Sequence, residues 1–202
     1  MSNLVITIGR QCGSRGKTIG KKVAEALGVK CYDKELLTEA AKHSGLCEEL
    51  FETHDEKPTN SFLYSLVMDT YSLGYTTSAY MDMPINHKIF LAQFDTIKKL
   101  ADQESCVIVG RCSDYTLRDN KNCLRVFFCA PMENRMKRVM DRLHLSEKDA
   151  KQKIQKEDKW RADNYRYYTG RIWGASANFD LTVNTALGEE YIEMCIREAM
   201  KR

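Results

Sequence analysis

The stretch Gly13-Ser14-Arg15-Gly16-Lys17-Thr18 decides the fold of this chain. It follows the β-branched, apolar run at residues 4–8 and leads into residues 17–27, whose apolar positions recur at helical spacing. A glycine-rich turn between a buried strand and a helix directs backbone N–H groups toward a common point at the helix N-terminus, where an anion binds. The sequence therefore predicts a phosphate-binding loop, here called the P-loop, at residues 13–18.

The residue types in this loop suit a nucleoside triphosphate with Mg²⁺. The glycines leave room for phosphate, Lys17 supplies a point charge for the β- and γ-phosphates, and the Thr18 hydroxyl holds the metal. ATP and Mg²⁺ are therefore the expected cofactors. The full pattern Gly-x-x-x-x-Gly-Lys-Thr has a glycine where this chain has Gln11, and a turn that binds nothing is the alternative. The expected nucleotide-binding residues are Gly13, Ser14, Arg15, Gly16, Lys17 and Thr18.

Composition narrows the class of protein. The 202 residues, 43% of them hydrophobic and 29% charged, suit one globular α/β domain with an insertion, or at most two small domains. A net charge of +3 is too small to indicate a nucleic-acid partner, and acidic residues interrupt the basic segments. The sequence has no apolar run of membrane-spanning length and no leader-like start, so a cytoplasmic location is predicted. The eight cysteines lack Cys-x-x-Cys spacing and the four histidines are scattered, so we expect reduced thiols and no zinc site.

Apolar runs and helical stretches alternate along the chain. Strands are predicted at residues 4–8, 29–32, 105–109, 124–129 and 179–183. Helices are predicted at residues 17–27, 34–44, 132–143, from Ser146 as N-cap to 168, and at 189–200. This alternation predicts an α/β fold with a parallel, doubly wound sheet.

Residues 53–86 are the hardest to assign. Prolines, a glycine and many tyrosines and methionines indicate an insertion that covers either the acceptor site or another subunit in a homodimer. A plain helical hairpin packed on the core is the alternative.

Several blocks of sequence extend beyond the P-loop, and together they resemble the cytidylate kinase-like family of P-loop proteins. Members of that family are relatives of bacterial cytidylate kinase among the nucleoside monophosphate kinases. The blocks follow the family's order over nearly the whole chain. They are Ile6-Thr7-Ile8-Gly9-Arg10-Gln11-Cys12-Gly13-Ser14, Ile19-Gly20, Tyr32-Asp33-Lys34-Glu35-Leu36, Ile108-Val109-Gly110-Arg111-Cys112-Ser113-Asp114, Asp158-Lys159-Trp160-Arg161, Tyr167-Tyr168-Thr169-Gly170 and Phe179-Asp180-Leu181-Thr182-Val183-Asn184.

The resemblance implies a P-loop NTPase fold in a single kinase domain, residues 1–202, with a five-stranded parallel sheet flanked by helices. It also implies a helical acceptor-binding insertion at about 34–103 and a helical, arginine-rich lid at about 135–171. The implied reaction is transfer of the ATP γ-phosphate to a nucleoside monophosphate or a similar small phosphorylated acceptor. Arginine forks in a lid suit the phosphate oxygens of such a transfer.

The resemblance also suggests roles for individual residues, each with a structural alternative. Arg111 ends a buried strand, where open α/β sheets bind ligands, and resembles an acceptor contact; the alternative is a surface ion pair with Asp114. Asp158 and Arg161 share a helix face and resemble a lid pair that meets the acceptor; the alternative is a solvated helix. The acceptor-binding residues implied are Asp33, Arg111, Asp114, Asp158 and Arg161.

Asp33 resembles the aspartate that opens the acceptor-binding segment, and a helix N-cap is its alternative role. Arg135 and Arg138 resemble lid arginines, although ordinary helix-face charges are the alternative. A hydroxyl acceptor would benefit from a general base, for which Asp33 is the best-placed carboxylate. The residues expected to be catalytic are Lys17, Asp33, Arg111 and Arg161, with Thr18 as the magnesium ligand.

The chain departs from cytidylate kinases at three acceptor positions. Those enzymes have arginines where this chain has Glu39 and Ile154, and an aspartate where it has Cys112. No aspartate ends the third strand, so Asp33, Asp114 or Glu35 is the expected magnesium carboxylate. Two other functions stay open: a nucleotide-binding regulatory protein without kinase turnover, and a kinase for another small molecule.

Overall fold

The computed structural model describes residues 3–54 and 84–201. Five strands in these residues form one sheet, in which every neighbouring pair is parallel and the order is β2-β3-β1-β4-β5. This confirms the predicted five-stranded parallel sheet. The strands are β1 (Val5–Arg10), β2 (Lys30–Tyr32), β3 (Cys106–Val109), β4 (Cys123–Cys129) and β5 (Leu181–Asn184).

Helices connect the strands and flank the sheet. The five helices predicted from the sequence, α1, α2, α6, α7 and α8, agree with the structure to within two residues, and α6 agrees at both ends. Short 3₁₀ turns lie at Ser176–Asn178 and Thr185–Leu187. The helices are α1 (Gly16–Leu27), α2 (Glu35–Ser44), α3 (Glu48–His54), α4 (Ile85–Gln103), α5 (Ser113–Thr116), α6 (Met132–Leu143), α7 (Glu147–Thr169) and α8 (Glu189–Ala199).

The strands are buried on both faces because successive side chains point to opposite sides of the sheet. Ile6, Ile8 and Val107 lie on the face that packs against α1 and α8. Val5 and Ile108 lie on the other face, in a cluster that includes apolar residues of α4. The sheet is thus the middle of three layers, which accounts for the nearly continuous apolar runs of β1 and β3.

Three other sequence expectations bear on the fold. All eight cysteines lie in described segments and none of them forms a disulfide; burial and the neighbouring Glu104 raise the pKa of Cys106 to about 12, so this thiol stays protonated. No helix in the described ranges is both long enough and apolar enough to cross a membrane. Most of the region predicted as an aromatic insertion, residues 55–83, lies outside the described residues.

Candidate active site

Three neighbouring strands deliver the predicted site residues to one edge of the sheet. The carboxyl end of β1 leads into the P-loop, that of β2 into Asp33, and that of β3 into Gly110 and Arg111. The chain connections diverge on the two sides of β1, and ligands of open α/β sheets bind in the crevice outside such a point. The fold therefore brings Lys17, Asp33 and Arg111 together although they are far apart in sequence.

The N-terminus of α1 is prepared for an anion. Arg15 precedes the helix in a left-handed conformation with φ 68°, and in the described residues no side chain caps α1 and no acidic residue lies in its first turn. The amides of Gly16, Lys17 and Thr18 have no acceptor within the helix, since the first helical amides lie too early for one. Together with the positive end of the helix dipole, these amides make the N-terminus of α1 suited to an anion.

Gln11 replaces the first glycine of the P-loop pattern without strain. Among the described non-glycine residues, positive φ occurs at Arg15, Arg111, Cys112 and His144, and so not at Gln11. Gln11 instead holds the loop to β4 through two hydrogen bonds. Its backbone N–H donates to the Phe128 carbonyl at 3.0 Å, and its side-chain Oε1 accepts from the Ala130 N–H at 3.1 Å. The variant position therefore supports the loop by hydrogen bonding.

Gly13 is the loop glycine that the structure requires. Its φ is 76°, and a Cβ at this position would lie 2.8 Å from the backbone oxygen of Arg135 in α6. The loop and the first lid helix consequently touch backbone to backbone, which a larger residue would prevent.

Asp33 is the centre of the charged site. Its carboxylate lies 2.5 Å from Lys17 Nζ and accepts from Arg111 Nη1 at 2.8 Å, and both it and Arg111 are buried. Burial by itself raises the pKa of Asp33, but the Arg111 charge and the hydrogen bonds from Lys17 and Arg111 outweigh it, so the pKa lies below its ordinary value. Asp33 is therefore an ionised carboxylate at neutral pH. The N-cap of α2 is Lys34, so Asp33 does not cap that helix.

An unusual backbone turn presents Arg111 to Asp33. Gly110, Arg111 and Cys112 have φ values of 82°, 52° and 53°, three left-handed residues in succession directly after β3. In this turn the Arg111 guanidinium folds back and also donates to the Val109 carbonyl at 2.9 Å. Left-handed non-glycine residues cost free energy and are found at sites where the surrounding structure imposes them.

Helices α6 and α7 make up most of the segment predicted to be a lid, and they are called the lid helices here. They are docked on the P-loop. Cys12, which directly precedes the P-loop, shares a buried apolar cluster with Val139, Ala150 and Ile154 of the lid helices. Arg138 donates to the carbonyl of Gly13 at 3.3 Å and to the Thr185 hydroxyl at 3.1 Å. The lid and the loop thus form one continuous wall of the site.

The charged residues of the lid helices take two different positions in this wall. Arg135 is buried and ion-paired with Asp158, which also accepts from the N–H of Cys12 at 2.7 Å. Arg161 lies 4.0 Å from Asp158 and 3.6 Å from Glu157 and lines the central cavity. The structure therefore separates Asp158 and Arg135, which bind each other, from Arg138 and Arg161, which face the cavity.

The cavity between the loop, Asp33 and the lid has a volume of about 640 Å³. Among the described residues, eight cationic side chains line it, against three acidic ones. This size is in the range of small-molecule sites, and the charge suits an anionic ligand. The cations are Arg10, Arg15, Lys17, Lys34, Arg111, Arg138, Arg142 and Arg161, and the acids are Asp33, Asp141 and Glu157.

Comparison with known proteins identifies the family from this sequence. The model of the cytidylate kinase-like family matches residues 5–187, which include all five strands, the P-loop and both lid helices. The chain belongs to the cytidylate kinase-like family. This confirms the resemblance drawn from the sequence blocks. Comparison with curated proteins gave no significant match.

Solved structures share the fold of this cytidylate kinase-like protein. An uncharacterized protein from Eubacterium ventriosum is 27% identical, with a TM-score of 0.71 over 98% of this chain and 99% of that one. A shikimate kinase from Bacteroides thetaiotaomicron is 14% identical, with a TM-score of 0.56 over 98% and 99%. A gluconokinase from Sinorhizobium meliloti is 14% identical, with a TM-score of 0.50 over 98% and 90%. The kinase-like family and the fold together support a P-loop kinase.

Asp114 of the cytidylate kinase-like protein lies behind the cavity. It is buried, accepts from the Tyr165 hydroxyl at 2.6 Å, and lines a small cleft together with Tyr165 and Arg111. Burial raises the pKa of Asp114, although the Tyr165 hydrogen bond partly opposes it. A surface ion pair with Arg111 does not describe this site, because both residues are buried and Arg111 is bound to Asp33.

The three departures from cytidylate kinases have structural explanations in this family member. Ile154 is fully buried in the cluster that joins the lid to the P-loop. Cys112 is buried with Phe90 and Tyr165, and Glu39 is paired with Lys42 on α2. Apolar packing and a helix-face ion pair therefore occupy the positions where cytidylate kinases have polar acceptor contacts.

Two amide side chains that the sequence motifs do not identify lie beside Arg111. Gln93 of α4 and Asn164 of α7 line a small cleft with Arg111, Phe90 and Tyr168, in which the two rings stack with centroids 3.9 Å apart. Gln93 is buried, and among the described residues its Nε2 has no hydrogen-bond partner. In the sequence, Gln93 stands out only as a polar residue within the apolar run Ile89-Phe90-Leu91-Ala92-Gln93-Phe94.

Proposed function

We propose that this protein is an ATP-dependent phosphotransferase that acts on a small phosphorylated acceptor, with a nucleoside monophosphate as the first class to test. One observation carries the proposal: a single cationic cavity joins the N-terminus of α1 to the Asp33–Arg111 pair and to the lid arginines. One end suits the donor phosphates and the other suits an anionic acceptor. Phosphoryl transfer depends mainly on such positioning and on neutralising charge.

At the donor end, the amides of Gly16, Lys17 and Thr18 bind phosphate oxygens. Lys17 is half-exposed and held by Asp33, so the triphosphate replaces Asp33 as its partner when ATP binds. That exchange frees one Asp33 oxygen. Arg138, which already contacts the loop at Gly13, adds a guanidinium from the lid side.

The Thr18 hydroxyl and Asp33 fit a magnesium site. Mg²⁺ in such enzymes is held by one or two protein oxygens together with substrate phosphates, and both residues line the cavity. Asp114 is less suited because it is bound to Tyr165, and Glu35 because it is exposed and accepts from the Asp33 N–H at 3.2 Å. When bound there, the metal would supply positive charge for the phosphate oxygens.

At the acceptor end, Arg111 and Arg161 bind the acceptor's anionic group. Their planar, five-donor guanidinium groups match phosphate oxygens better than a lysine would. Gln93 and Asn164 supply amide donors and acceptors for the rest of the acceptor molecule. A phosphate acceptor attacks directly and needs no general base.

A coupled assay of ADP release tests the proposal. The panel contains CMP, dCMP, UMP, AMP and GMP with saturating ATP and Mg²⁺, and ATP binding is measured separately. Turnover of one monophosphate, lost in Arg111→Ala with retained ATP affinity, supports the proposal. ATP binding without turnover of any acceptor supports the nucleotide-binding regulatory protein instead.

A kinase for another small molecule is the second candidate. The ionised Asp33 favours it, because a hydroxyl acceptor would benefit from this carboxylate, and so do the apolar residues at Ile154 and Cys112. The solved structures with this fold include kinases named for shikimate and gluconate. Adding hydroxy acids to the same panel separates the two candidates: turnover of a hydroxy acid, with loss in Asp33→Asn, favours the second.

A further inference from the structure

Both carboxylate oxygens of Asp158 are bound to groups of the protein. Its Oδ1 accepts from the backbone N–H of Cys12 at 2.7 Å, and its Oδ2 is ion-paired with Arg135. Arg135 in turn donates to the carbonyl of Cys12 at 3.4 Å. The three groups form a closed ring that joins α7, α6 and the P-loop, and we call this ring the loop latch.

We propose that Asp158 is a positioning residue that holds the lid on the phosphate loop and does not contact the acceptor. Both of its oxygens are engaged, and it does not line the central cavity, although its helix neighbours Glu157 and Arg161 do. A carboxylate bound to a backbone N–H and a guanidinium forms charge-assisted hydrogen bonds, which are among the stronger ones in proteins. This inference concerns the same site as the proposed function, but its first test does not require turnover.

The latch leaves the phosphate position open. Asp158 takes the N–H of Cys12, whereas the phosphate position uses the amides of Gly16, Lys17 and Thr18 in the first turn of α1. The negative charge of Asp158 is compensated by Arg135, with Arg161 4.0 Å away. Asp158 therefore shapes the loop from behind without competing for its ligand.

The latch also sets the direction of Arg161. Residues three apart on a helix lie on neighbouring parts of the same face, so fixing Asp158 against the loop fixes Arg161 toward the cavity. Ile154, one turn earlier on α7, and Val139 of α6 share an apolar cluster with Cys12, and this packing supports the same docking. Loss of Asp158 should thus weaken both the loop and the contribution of Arg161.

The first test measures hydrogen exchange at the Cys12 amide in the full-length protein, wild type and Asp158→Asn, with Asp163→Asn as the control. Asp163 is on the same helix and pairs with Lys159 at the surface, at 2.6 Å. We expect exchange at Cys12 to quicken about tenfold or more in Asp158→Asn, and to stay unchanged in Asp163→Asn. Unchanged Cys12 exchange in a folded Asp158→Asn overturns the proposal.

The second test separates a positioning role from an acceptor contact. We expect Asp158→Asn to weaken binding of a fluorescent ATP analogue about tenfold, an effect that needs no acceptor and no turnover. A variant that binds ATP normally and changes only the KM of the acceptor overturns the proposal and restores the acceptor contact. A failure of every acceptor to react would remove the proposed kinase function and leave both latch measurements standing.

Arg135→Lys tests the other side of the latch and serves if Asp158→Asn does not fold. Lysine keeps the charge but lacks the planar guanidinium, whose Nη1 donates both to Asp158 and to the Cys12 carbonyl. Faster Cys12 exchange with weaker ATP-analogue binding supports the latch. Wild-type values for both quantities in Arg135→Lys overturn it.

Discussion

At the scale of single residues, the site depends on which charges compensate each other before any ligand binds. Asp33 holds Lys17 at the cavity and Arg111 beneath it, so one carboxylate positions the cations of both ends of the site. The two contacts differ in burial: the side chain of Lys17 is 51% exposed, whereas that of Arg111 is 3% exposed. Removing Lys17 should therefore affect binding, and removing Asp33 should affect stability as well.

We expect Lys17→Ala to lower ATP affinity at least about tenfold while changing the free energy of unfolding by less than about 0.5 kcal/mol. The reason is that Lys17 supplies a phosphate charge from an exposed position. Titration calorimetry with ATP and denaturant unfolding measure the two effects. Lys21→Ala, an exposed lysine one turn further along α1, is the control, and equal ATP affinity in both variants would refute the role of Lys17.

We expect Asp33→Asn to lower the free energy of unfolding at pH 7 by about 1–3 kcal/mol, because Arg111 stays buried with a weaker partner. The pKa of Asp33 is lowered on folding, so its carboxylate contributes stability above the unfolded-state pKa, about 3.9. That contribution is lost as the pH falls through the folded-state pKa. Urea unfolding between pH 3 and pH 7 measures it.

The difference between Asp33→Asn and wild type should consequently shrink below about pH 4. Glu39→Gln is the control, since Glu39 pairs with Lys42 on the helix surface and such pairs contribute little. A difference that stayed constant from pH 3 to pH 7 would mean that the Asp33 charge does not stabilise the fold.

At the scale of elements, the local sequence specifies the lid helices well. We expect ligand binding to move these helices. Ser146 caps α7, accepting from the Asp149 N–H at 3.2 Å, as its spacing predicts. Val139 and Ile154 then anchor the helix pair on the loop. The second lid helix therefore has a well-defined beginning, and the helix pair has a defined docking surface.

We expect Ser146→Ala to reduce the free energy of unfolding by about 1 kcal/mol, because the Asp149 amide loses its acceptor. Thermal or denaturant unfolding measures the change. Ser176→Ala, at an exposed serine in the 3₁₀ turn Ser176–Asn178, should change it by less than about 0.5 kcal/mol. Equal effects of the two substitutions would argue against the cap.

We also expect hydrogen exchange across residues 148–166 to slow when ATP and an acceptor are both bound. Arg138 and Arg161 gain phosphate partners in that state, and closure of a charged lid excludes water from the transfer site. Exchange mass spectrometry measures it, with residues 189–199 of α8 as an internal control. No change in 148–166 would contradict a lid that responds to ligands.

At the scale of the whole molecule, one sheet edge collects residues from the entire chain. Lys17, Asp33, Arg111 and Arg161 meet because β2, β3 and β1 are neighbours and α7 packs back over their carboxyl ends. A ligand in this cavity thus joins the sheet to the lid. It should stabilise the native state as a unit.

We expect ATP at about a hundredfold excess over its dissociation constant to raise the melting temperature by about 5–10 °C. Differential scanning calorimetry measures it, and adenosine, which lacks phosphates, is the control ligand. At the same ATP concentration, the at least tenfold weaker binding of Lys17→Ala should remove about half of the ATP effect or more. An equal rise with adenosine would mean that the phosphate loop does not dominate binding.

Much of this fold could be predicted from local patterns. The five strands, the helices between them and the P-loop follow from apolar periodicity, glycine placement and capping, which act over a few residues. The family followed from motifs in their order. Three helices were not predicted as individual elements: α3 and α5 are short and carry little periodic signal, and α4 lies in the segment that was assigned only as part of a helical insertion.

The sequence by itself determined the phosphate loop, the parallel sheet and the lid's cap, since neighbouring residues specify each of them. Only the tertiary structure decided the partners of Asp158, Arg135 and Ile154. The i, i+3 spacing places Asp158 and Arg161 on one face but leaves open which of them meets the loop, because the rotation of α7 is set by its packing on Cys12 and Val139. The left-handed turn at Arg111 likewise depends on Asp33, 78 residues away in sequence.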